Sequence, residues 1–478
     1  VNKYYTNILI SGDSILHRGI ENGKTFFSKE PFAPVLYLPT QTVSKYKTLD
    51  GINVEPISPG TIRDTRQFLR QYRNVDNFKF YGNTRYEYQF INKTYPKDID
   101  WNISDLNITY LDIECECEDG FPNIETANEA INLITIKTRG QYHTFGCQDY
   151  DAFVKQNTLY HKCEDEKELL QEFIKLWVSD YPDIITGWNV QFFDMVYIVN
   201  RINVVLSKKD SKKLSPWGII KERTVTLRGQ EQQAYDIYGI ATMDYLDLYK
   251  RYTYVNRENY KLGYIAHVEL GTSKIDYSEY GSLHLLYKNN WNKFVDYNIK
   301  DVDLVTQLDD KLKLIELALS IAYDAKMNFE DTKSQVRIWD TLIYNHLARK
   351  NIIIPQNQSN SRDTQYAGAY VMDPITGFHK WVVSFDVTSL YPSLILALNL
   401  SPETIMEYEC DVPDLKEHLQ LNGLIYSANN QYFRNDIDGF LPELLKKVLD
   451  DRVIAKKKMV IGKKNLEIIR KIKERRKI

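Results

Sequence analysis

The segment ITYLDIECECEDG, residues 108–120, alternates apolar and polar side chains, which restricts it to a half-buried β-strand. In that register Asp112 and Glu114 share one face, and Leu111, Ile113 and Cys115 take the other. The apolar face must be packed on a core, so the two carboxylates stand at the edge of a site instead of in bulk water. Carboxylates so placed repel one another unless a divalent cation neutralises them. On its own the D-x-E pattern also fits an ordinary strand.

From residue 106 onward β and α patterns interleave, predicting an α/β domain. DIITGWNVQFFDMVYIVNRINVVL (183–206) reads as a strand, a Gly turn and a helix. Met195, Ile198, Val199, Ile202, Val205 and Leu206 form one apolar helical face, which puts Asp194 at the helix N-terminus. Taken locally, Asp194 caps the first turn, and Asn189 and Phe193 are turn residues. FVDYNIKDVDLV (294–305) then stacks Tyr297 and Asp301 four apart on a helix face, a pair that by itself is ordinary surface.

Around this core the chain gives boundaries more than motifs. Its 478 residues, 43% hydrophobic, can bury several cores, and two to four domains are expected. Residues 1–105 alternate short apolar strands with turns. KERTVTLRGQEQQAYDIYG (221–239) reads as a hairpin around RGQ. The polar NQSNSRDTQ (357–365) and the Gly-containing YAGAYVMDPITG (366–377) mark a junction. WVVSFDVTSLYPSLI (381–395) begins as a buried strand and turns at Thr388–Ser389. From Leu441 the tail reads as one long helix. The five cysteines form no metal-type CxxC pairs, and neither a secretory signal nor an 18-residue apolar run is present, so no membrane is implied and a reducing cytoplasm is expected. The net charge of −3 divides unevenly: residues 446–478 carry +10, which is either a solvated helix face or a polyanion contact.

D-I-E, N-x-x-x-F-D and Y-x-x-x-D, in this order, resemble the three motifs of the 3′→5′ proofreading exonuclease in family B DNA polymerases. The resemblance implies a ribonuclease-H-like fold in which Asp112, Glu114, Asp194 and Asp301 hold two Mg²⁺ or Mn²⁺ ions and Tyr297 orients the attacking water. Asn189 and Phe193 would touch the single-stranded DNA 3′ end. DVTSLYPS (386–393) is similar to motif A of the same family. By that likeness Asp386 and the Val387 carbonyl bind polymerase metals. Ser389 and Leu390 hold the incoming dNTP through backbone N–H groups, and the Tyr391 ring excludes a ribose 2′-hydroxyl.

The likeness extends to the T-even bacteriophage type through YLDLYKRY, AYDAKMNF, YAGAY and NLSPETI. YAGAY, with Tyr366 and Gly368, resembles a loop that influences whether a DNA primer lies in the polymerising or the editing site. Arg452 and Lys456 match two triphosphate-contacting cations of the first fingers helix, which favours nucleotide and DNA contact as the reason for the basic tail. The expected organisation is an α/β multidomain chain: an N-terminal β-rich domain (1–105, with 315–357 packing back on it), an exonuclease domain (106–314), a partial palm (358–438) and a truncated fingers helix (439–478).

Nothing in the sequence resembles K-x-x-x-N-S-x-Y-G or Y-G-D-T-D-S, the parts that supply the second fingers helix and the second polymerase carboxylate. The chain is therefore expected not to polymerise DNA alone. It reads as the N-terminal subunit of a split polymerase or as part of one longer chain, with primer-template DNA as partner and any sliding clamp reached only through the missing C-terminal part. A free-standing exonuclease with a vestigial palm and a non-enzymatic nucleic-acid-binding module are the alternatives. If the chain is phage-encoded, the cytoplasm of an infected bacterium is its expected location.

Overall fold

The computed structural model describes residues 2–73, 75, 78–118, 120–151, 157–227, 229–356, 368, 370–406, 424–427 and 431–475. They form two compact units: residues 1–35, 58–76 and 85–345, and residues 36–57, 77–84 and 346–478.

The larger unit begins with a three-stranded antiparallel sheet of β1 (Lys3–Ser11), β2 (Ser14–Glu21) and β3 (Lys24–Pro31). Two helices interrupt the all-strand reading of the first hundred residues: α1 (Ile62–Tyr72) and α2 (Tyr86–Thr94). The signal for α1 lies in T-I-R-D, a reciprocal cap in which the Thr61 side chain accepts from the Asp64 N–H and Asp64 accepts from the Thr61 N–H. Two satisfied donors at the first turn outweigh the strand-like look of the segment.

A six-stranded mixed sheet follows, in the order β10-β9-β8-β7-β11-β14. Its members are β7 (Ile108–Cys115), β8 (Ile131–Thr138), β9 (Gln141–Gly146), β10 (Thr158–Lys162), β11 (Ile184–Thr186) and β14 (Ala241–Thr242). The central β7 runs antiparallel to β8 and parallel to β11. One face packs on α3 (Glu166–Ser179) and α4 (Asp194–Val205), where Leu111 and Ile113 meet Phe173, Trp177, Met195, Ile198 and Ile202. The other face meets a long helix, α9 (Trp291–Leu312), through Phe294, Val295, Ile299 and Val302. This is the three-layer arrangement expected when strands and helices alternate.

Between α4 and α9 lie the short helix α5 (Lys208–Ser211), the antiparallel hairpin β12 (Ile220–Leu227) and β13 (Gln230–Ile237), and helices α6 (Tyr245–Tyr252), α7 (Leu262–Leu270) and α8 (Leu283–Asn289). The unit closes with α10 (Leu314–Ala325) and most of α11 (Gln335–Arg349), up to Asn345. Tyr323 of α10 donates to the Tyr5 carbonyl at 2.9 Å, so the end of the unit packs on β1. A buried ion pair, Arg18 with Asp183 at 3.1 Å, joins β2 to the start of β11; Arg18 also donates to the carbonyls of Tyr181 and Gly239. Those neutral acceptors take up donors of a guanidinium that burial makes costly, although its Nε–H has no acceptor.

The smaller unit contains a four-stranded sheet in the order β15-β5-β6-β4, built from β4 (Leu36–Pro39), β5 (Tyr46–Thr48), β6 (Asn53–Ile57) and β15 (Ile352–Ile353). It continues through α12 (Leu390–Ala397) to a small sheet of β16 (Ile405–Met406), β17 (Leu424–Tyr426) and β18 (Tyr432–Arg434), and ends in α13 (Phe440–Arg475). The words NLSPETI anchor that last helix. Asn399 donates to the carbonyls of Arg434 and Ile437 and accepts from the Gly439 N–H, while Glu403 accepts from the Phe440 N–H at 2.6 Å. At 36 residues and 1.5 Å per residue, α13 is about 54 Å long.

One expectation fails here. Residues 382–387 form no strand, and Val382, Val383 and Phe385 are 75%, 71% and 93% exposed. An apolar strand needs neighbours to satisfy its backbone and cover its side chains, and no described strand pairs with it. The turn at Thr388–Ser389 is present, with Ser389 at φ +51° immediately before α12. Residues 357–367, which include Tyr366, and Cys410 lie outside the described residues.

Candidate metal and nuclease centre

The alternation of β7 delivers its two carboxylates to the face opposite Leu111 and Ile113. On that side α9 presents Tyr297 and Asp301, both buried, at 6% and 4% exposure. Carboxylate oxygens of Asp112, Glu114 and Asp301 lie within 4.8 Å of one another. Asp194 joins from the first turn of α4. Its side chain does not cap that helix; one oxygen accepts from the Ile113 N–H at 3.1 Å, in the peptide between the two β7 acids. The loop leading to it is also fixed: Asp244 accepts from the N–H groups of Asn189 and Gln191 at 3.1 and 3.0 Å. Asn189 takes φ +70°, and its carbonyl accepts from Phe192 and Phe193.

Gathering acids raises their proton affinity. Burial and the neighbouring Asp194, Asp301 and Glu114 hold the Asp112 carboxyl far above the usual range. Burial and Asp301 push Glu114 up to about 8. Burial pushes Asp194 up to about 7, against the opposing pull of its backbone hydrogen bonds. Asp301 is raised by burial as well, with Lys274 working against it.

Two side chains that no motif announced complete the cluster. Lys274 donates to Asp301 at 2.5 Å and to the Tyr297 hydroxyl at 3.0 Å. Burial by itself would strip its proton, but Asp301, Tyr297 and Asp112 keep it bound more tightly than in water. Asn298, fully buried, donates to Asp112 at 2.7 Å and fixes that carboxylate. A signal for Asn298 existed in the sequence: a polar residue inside an otherwise apolar helical stripe. Lys274 sits in a loop, and only the fold brings it near.

The donor set fits a hard divalent cation. It is all oxygen, it comes from separate elements, and the second Asp301 oxygen, Oδ1, is buried without a hydrogen-bond partner. Beside Glu114 a cavity of about 180 Å³ opens, lined by Ile113, Phe193, Tyr287 and Phe294 among others.

In the smaller unit the residues of the second set meet less closely. Arg452 of α13 donates to the Ser389 hydroxyl at 3.2 Å, bridging 63 residues of sequence. Asp386, Val387, Leu390, Tyr391 and Lys456 are exposed, and among the described residues Asp386 belongs to no cluster of three metal-type ligands. Gly368 is exposed too.

The larger unit thus carries an acidic cluster of a kind that suits a metal-dependent enzyme, and comparison with known proteins gives the family. The description "DNA polymerase family B, exonuclease domain" matches residues 61–265, and "DNA polymerase family B" matches residues 325–476. The chain belongs to DNA polymerase family B. It is 29% identical to the DNA-directed DNA polymerase of Escherichia phage RB69 over 98% of its own length and 55% of that protein. The corresponding enzyme of Enterobacteria phage T4 is 29% identical over 99% of this chain and 56% of its own. The DNA polymerase delta catalytic subunit of Caenorhabditis elegans is 27% identical over 76% of this chain and 35% of that subunit. The chain thus spans about half the length of the phage polymerases it matches. Among the described residues no helix is long and apolar enough to cross a membrane.

Proposed function

We propose that this chain is the N-terminal part of a DNA-directed DNA polymerase and carries a metal-dependent 3′→5′ exonuclease that edits DNA ends. The observation that carries the reading is the meeting of Asp112, Glu114 and Asp301 within 4.8 Å, with Asp194 hydrogen-bonded to the same strand. In this reading residues 1–105 with 315–357 form an N-terminal domain and residues 106–314 a ribonuclease-H-like exonuclease. Residues 358–438 are then part of a palm, and 439–478 a fingers helix.

Asp112, Glu114, Asp194 and Asp301 would hold Mg²⁺ or Mn²⁺. When bound, the ions supply an activated water and neutralise charge at the leaving 3′-oxygen. The chain's own groups do the rest. Burial and the Asp301 charge keep the proton on the Tyr297 hydroxyl, whose oxygen already accepts from Lys274. That leaves the phenolic hydrogen to orient a water or a phosphate oxygen. Lys274 offers a positive charge beside the scissile phosphate. Asn298 prevents Asp112 from turning away. Phe193, with Asn189 in the preceding turn, suits the terminal base of a single strand, since aromatic faces stack on any base.

For polymerisation, Asp386 and Val387 would contribute to a metal site. Ser389, Leu390, Tyr391, Arg452 and Lys456 would hold the dNTP, and Tyr366 and Gly368 would meet the primer-template. Asp386 alone is too few carboxylates for two ions. Synthesis therefore requires a further polypeptide or segment carrying the rest of palm, fingers and thumb. A bacterial cytoplasm suits a chain with these partners.

The test uses purified chain, Mg²⁺ and single-stranded DNA labelled at its 3′ end. Release of labelled mononucleotide that disappears in Asp112→Ala supports the nuclease. Equal release by that variant sinks it.

A further inference from the structure

We propose that tyrosine hydroxyls outside the acidic cluster fix α9 against the sheet, and that one of these contacts, Tyr110 with Asp309, positions Asp301 for metal binding. The inference rests on the nuclease reading and adds positioning residues to that same site.

Tyr110 lies two residues before Asp112 on β7, so alternation puts its side chain on the face of Asp112 and Glu114. Its hydroxyl donates to Asp309 Oδ2 at 2.9 Å. Asp309 is a buried residue of α9, and its other oxygen accepts from the Ile315 N–H at 3.2 Å, where the chain has turned into α10. On the same helix Asn298 donates to Asp112 at 2.7 Å. Asp301 lies between these two points. Both ends of the helical stretch that carries it are therefore tied to the one strand that carries Asp112 and Glu114. Asp309 is eight residues past Asp301, about 12 Å along the helix axis, so Tyr110 acts on the cluster only through the helix.

Two more hydroxyls reach α9. Tyr142 of β9 donates to Asp303 at 3.0 Å, and Tyr150, in the segment after β9, donates to Asp296 at 2.7 Å. None of Asp296, Asp303 and Asp309 is among the clustered acids, yet each accepts a tyrosyl hydrogen. The apolar contacts of Phe294, Val295, Ile299 and Val302 hold the helix on the sheet without setting its register, because apolar burial has no direction. A hydrogen bond has both a direction and a narrow range of length. Carboxylates that share an ion must be held to within about 0.5 Å, and apolar packing alone lets a helix slide or turn by that much. Of the three contacts, Tyr110–Asp309 alone joins the helix to the ligand strand itself.

The test measures Mn²⁺ binding to the full chain without DNA, by calorimetry and by the electron spin resonance of free Mn²⁺, and counts only the binding that Asp112→Ala removes. Tyr110→Phe deletes one oxygen atom and should weaken that binding about fivefold or more, through the loss of one hydrogen bond to a carboxylate. Tyr88→Phe is the control: it breaks the same kind of bond, to Asp331 at 2.7 Å, away from β7 and α9. Its Mn²⁺ affinity should match the parent's at a comparable loss of melting temperature. Asp309→Asn keeps an acceptor for Tyr110 and should stay within about twofold of the parent. Asp309→Leu should bind as weakly as Tyr110→Phe, and the double variant no more weakly than either. Tyr142→Phe, expected to weaken binding in the same direction, takes the place of Tyr110→Phe should that variant not fold. Unchanged affinity in folded Tyr110→Phe, or an equal loss in Tyr88→Phe, overturns the proposal and leaves the metal centre standing. A parent chain whose Mn²⁺ binding does not respond to Asp112→Ala removes the metal centre itself, and the proposal falls with it.

Discussion

The two acidic motifs of this chain have opposite surroundings. Around Asp112, the strand, the helix N-terminus and the long helix α9 each contribute a carboxylate, and neighbouring side chains fix two of them. Around Asp386, the chain is exposed and forms no strand among the described residues. Both motifs are short acidic words beside apolar runs. What separates them is whether the sequence also supplies the elements that close around the acid. A carboxylate becomes part of a chemical site only when other parts of the fold hold it against its own repulsion.

That contrast can be broken by experiment, and the largest effect belongs to the assembled side. Asp112→Ala or Asp301→Ala should lower nuclease activity by about 10³-fold or more, because removing one ligand disables the whole metal-dependent step; a fall below tenfold in single-turnover assays would put the chemistry elsewhere. On the other side, primer extension by this chain alone should be undetectable, and Asp386→Ala should leave the nuclease rate unchanged. Extension without any added polypeptide would erase the distinction between the two motifs.

Next comes Lys274→Met, which leaves Asp301 buried without its cation. Unfolding measured in chelator should show a loss of about 3 kcal/mol, the lower end of the usual cost of orphaning one member of a buried pair, and added Mg²⁺ should restore part of it. A smaller effect sharpens the picture through pH. Glu114 has its carboxyl raised from 4.5 to about 8. For an acid raised in the folded state, stability is fully present below the unfolded value and is lost as pH rises through the folded one. The melting temperature in chelator should therefore fall between about pH 4.5 and 8, and Mg²⁺ should flatten that slope. The smallest effect is expected on α13. Ile461 is 60% exposed, so Ile461→Lys should change stability by no more than about 0.5 kcal/mol; a larger loss in urea unfolding would mean that this face is covered.

Much of the acidic centre was legible in the sequence because its motifs are local. Period-two alternation put Asp112 and Glu114 together, an apolar helical face placed Asp194, and a four-residue spacing aligned Tyr297 with Asp301. The partners that hold these acids were not legible. Lys274 and Asp244 act across 27 and 55 residues of sequence, and nothing in TSKI or TMDY marks them. The same limit explains the early helices and the failed strand. The Thr61–Asp64 cap is a local signal that strand-like neighbours obscured, whereas the run at 382–387 has every local mark of a strand and lacks only the neighbours that would make it one.

Gly187 shows how narrow the tolerance at the assembled centre is. A methyl group there would sit 2.4 Å from the Leu111 carbonyl oxygen and 3.1 Å from Val190 Cβ. Position 187 begins the turn that carries the chain from β11 to Asp194, and Leu111 is the residue before Asp112. The gap between two ligands is thus gauged by a single hydrogen atom. Any side chain at this position would press the two elements apart, so a substitution here would disturb the acidic cluster while leaving every acid in its place in the sequence.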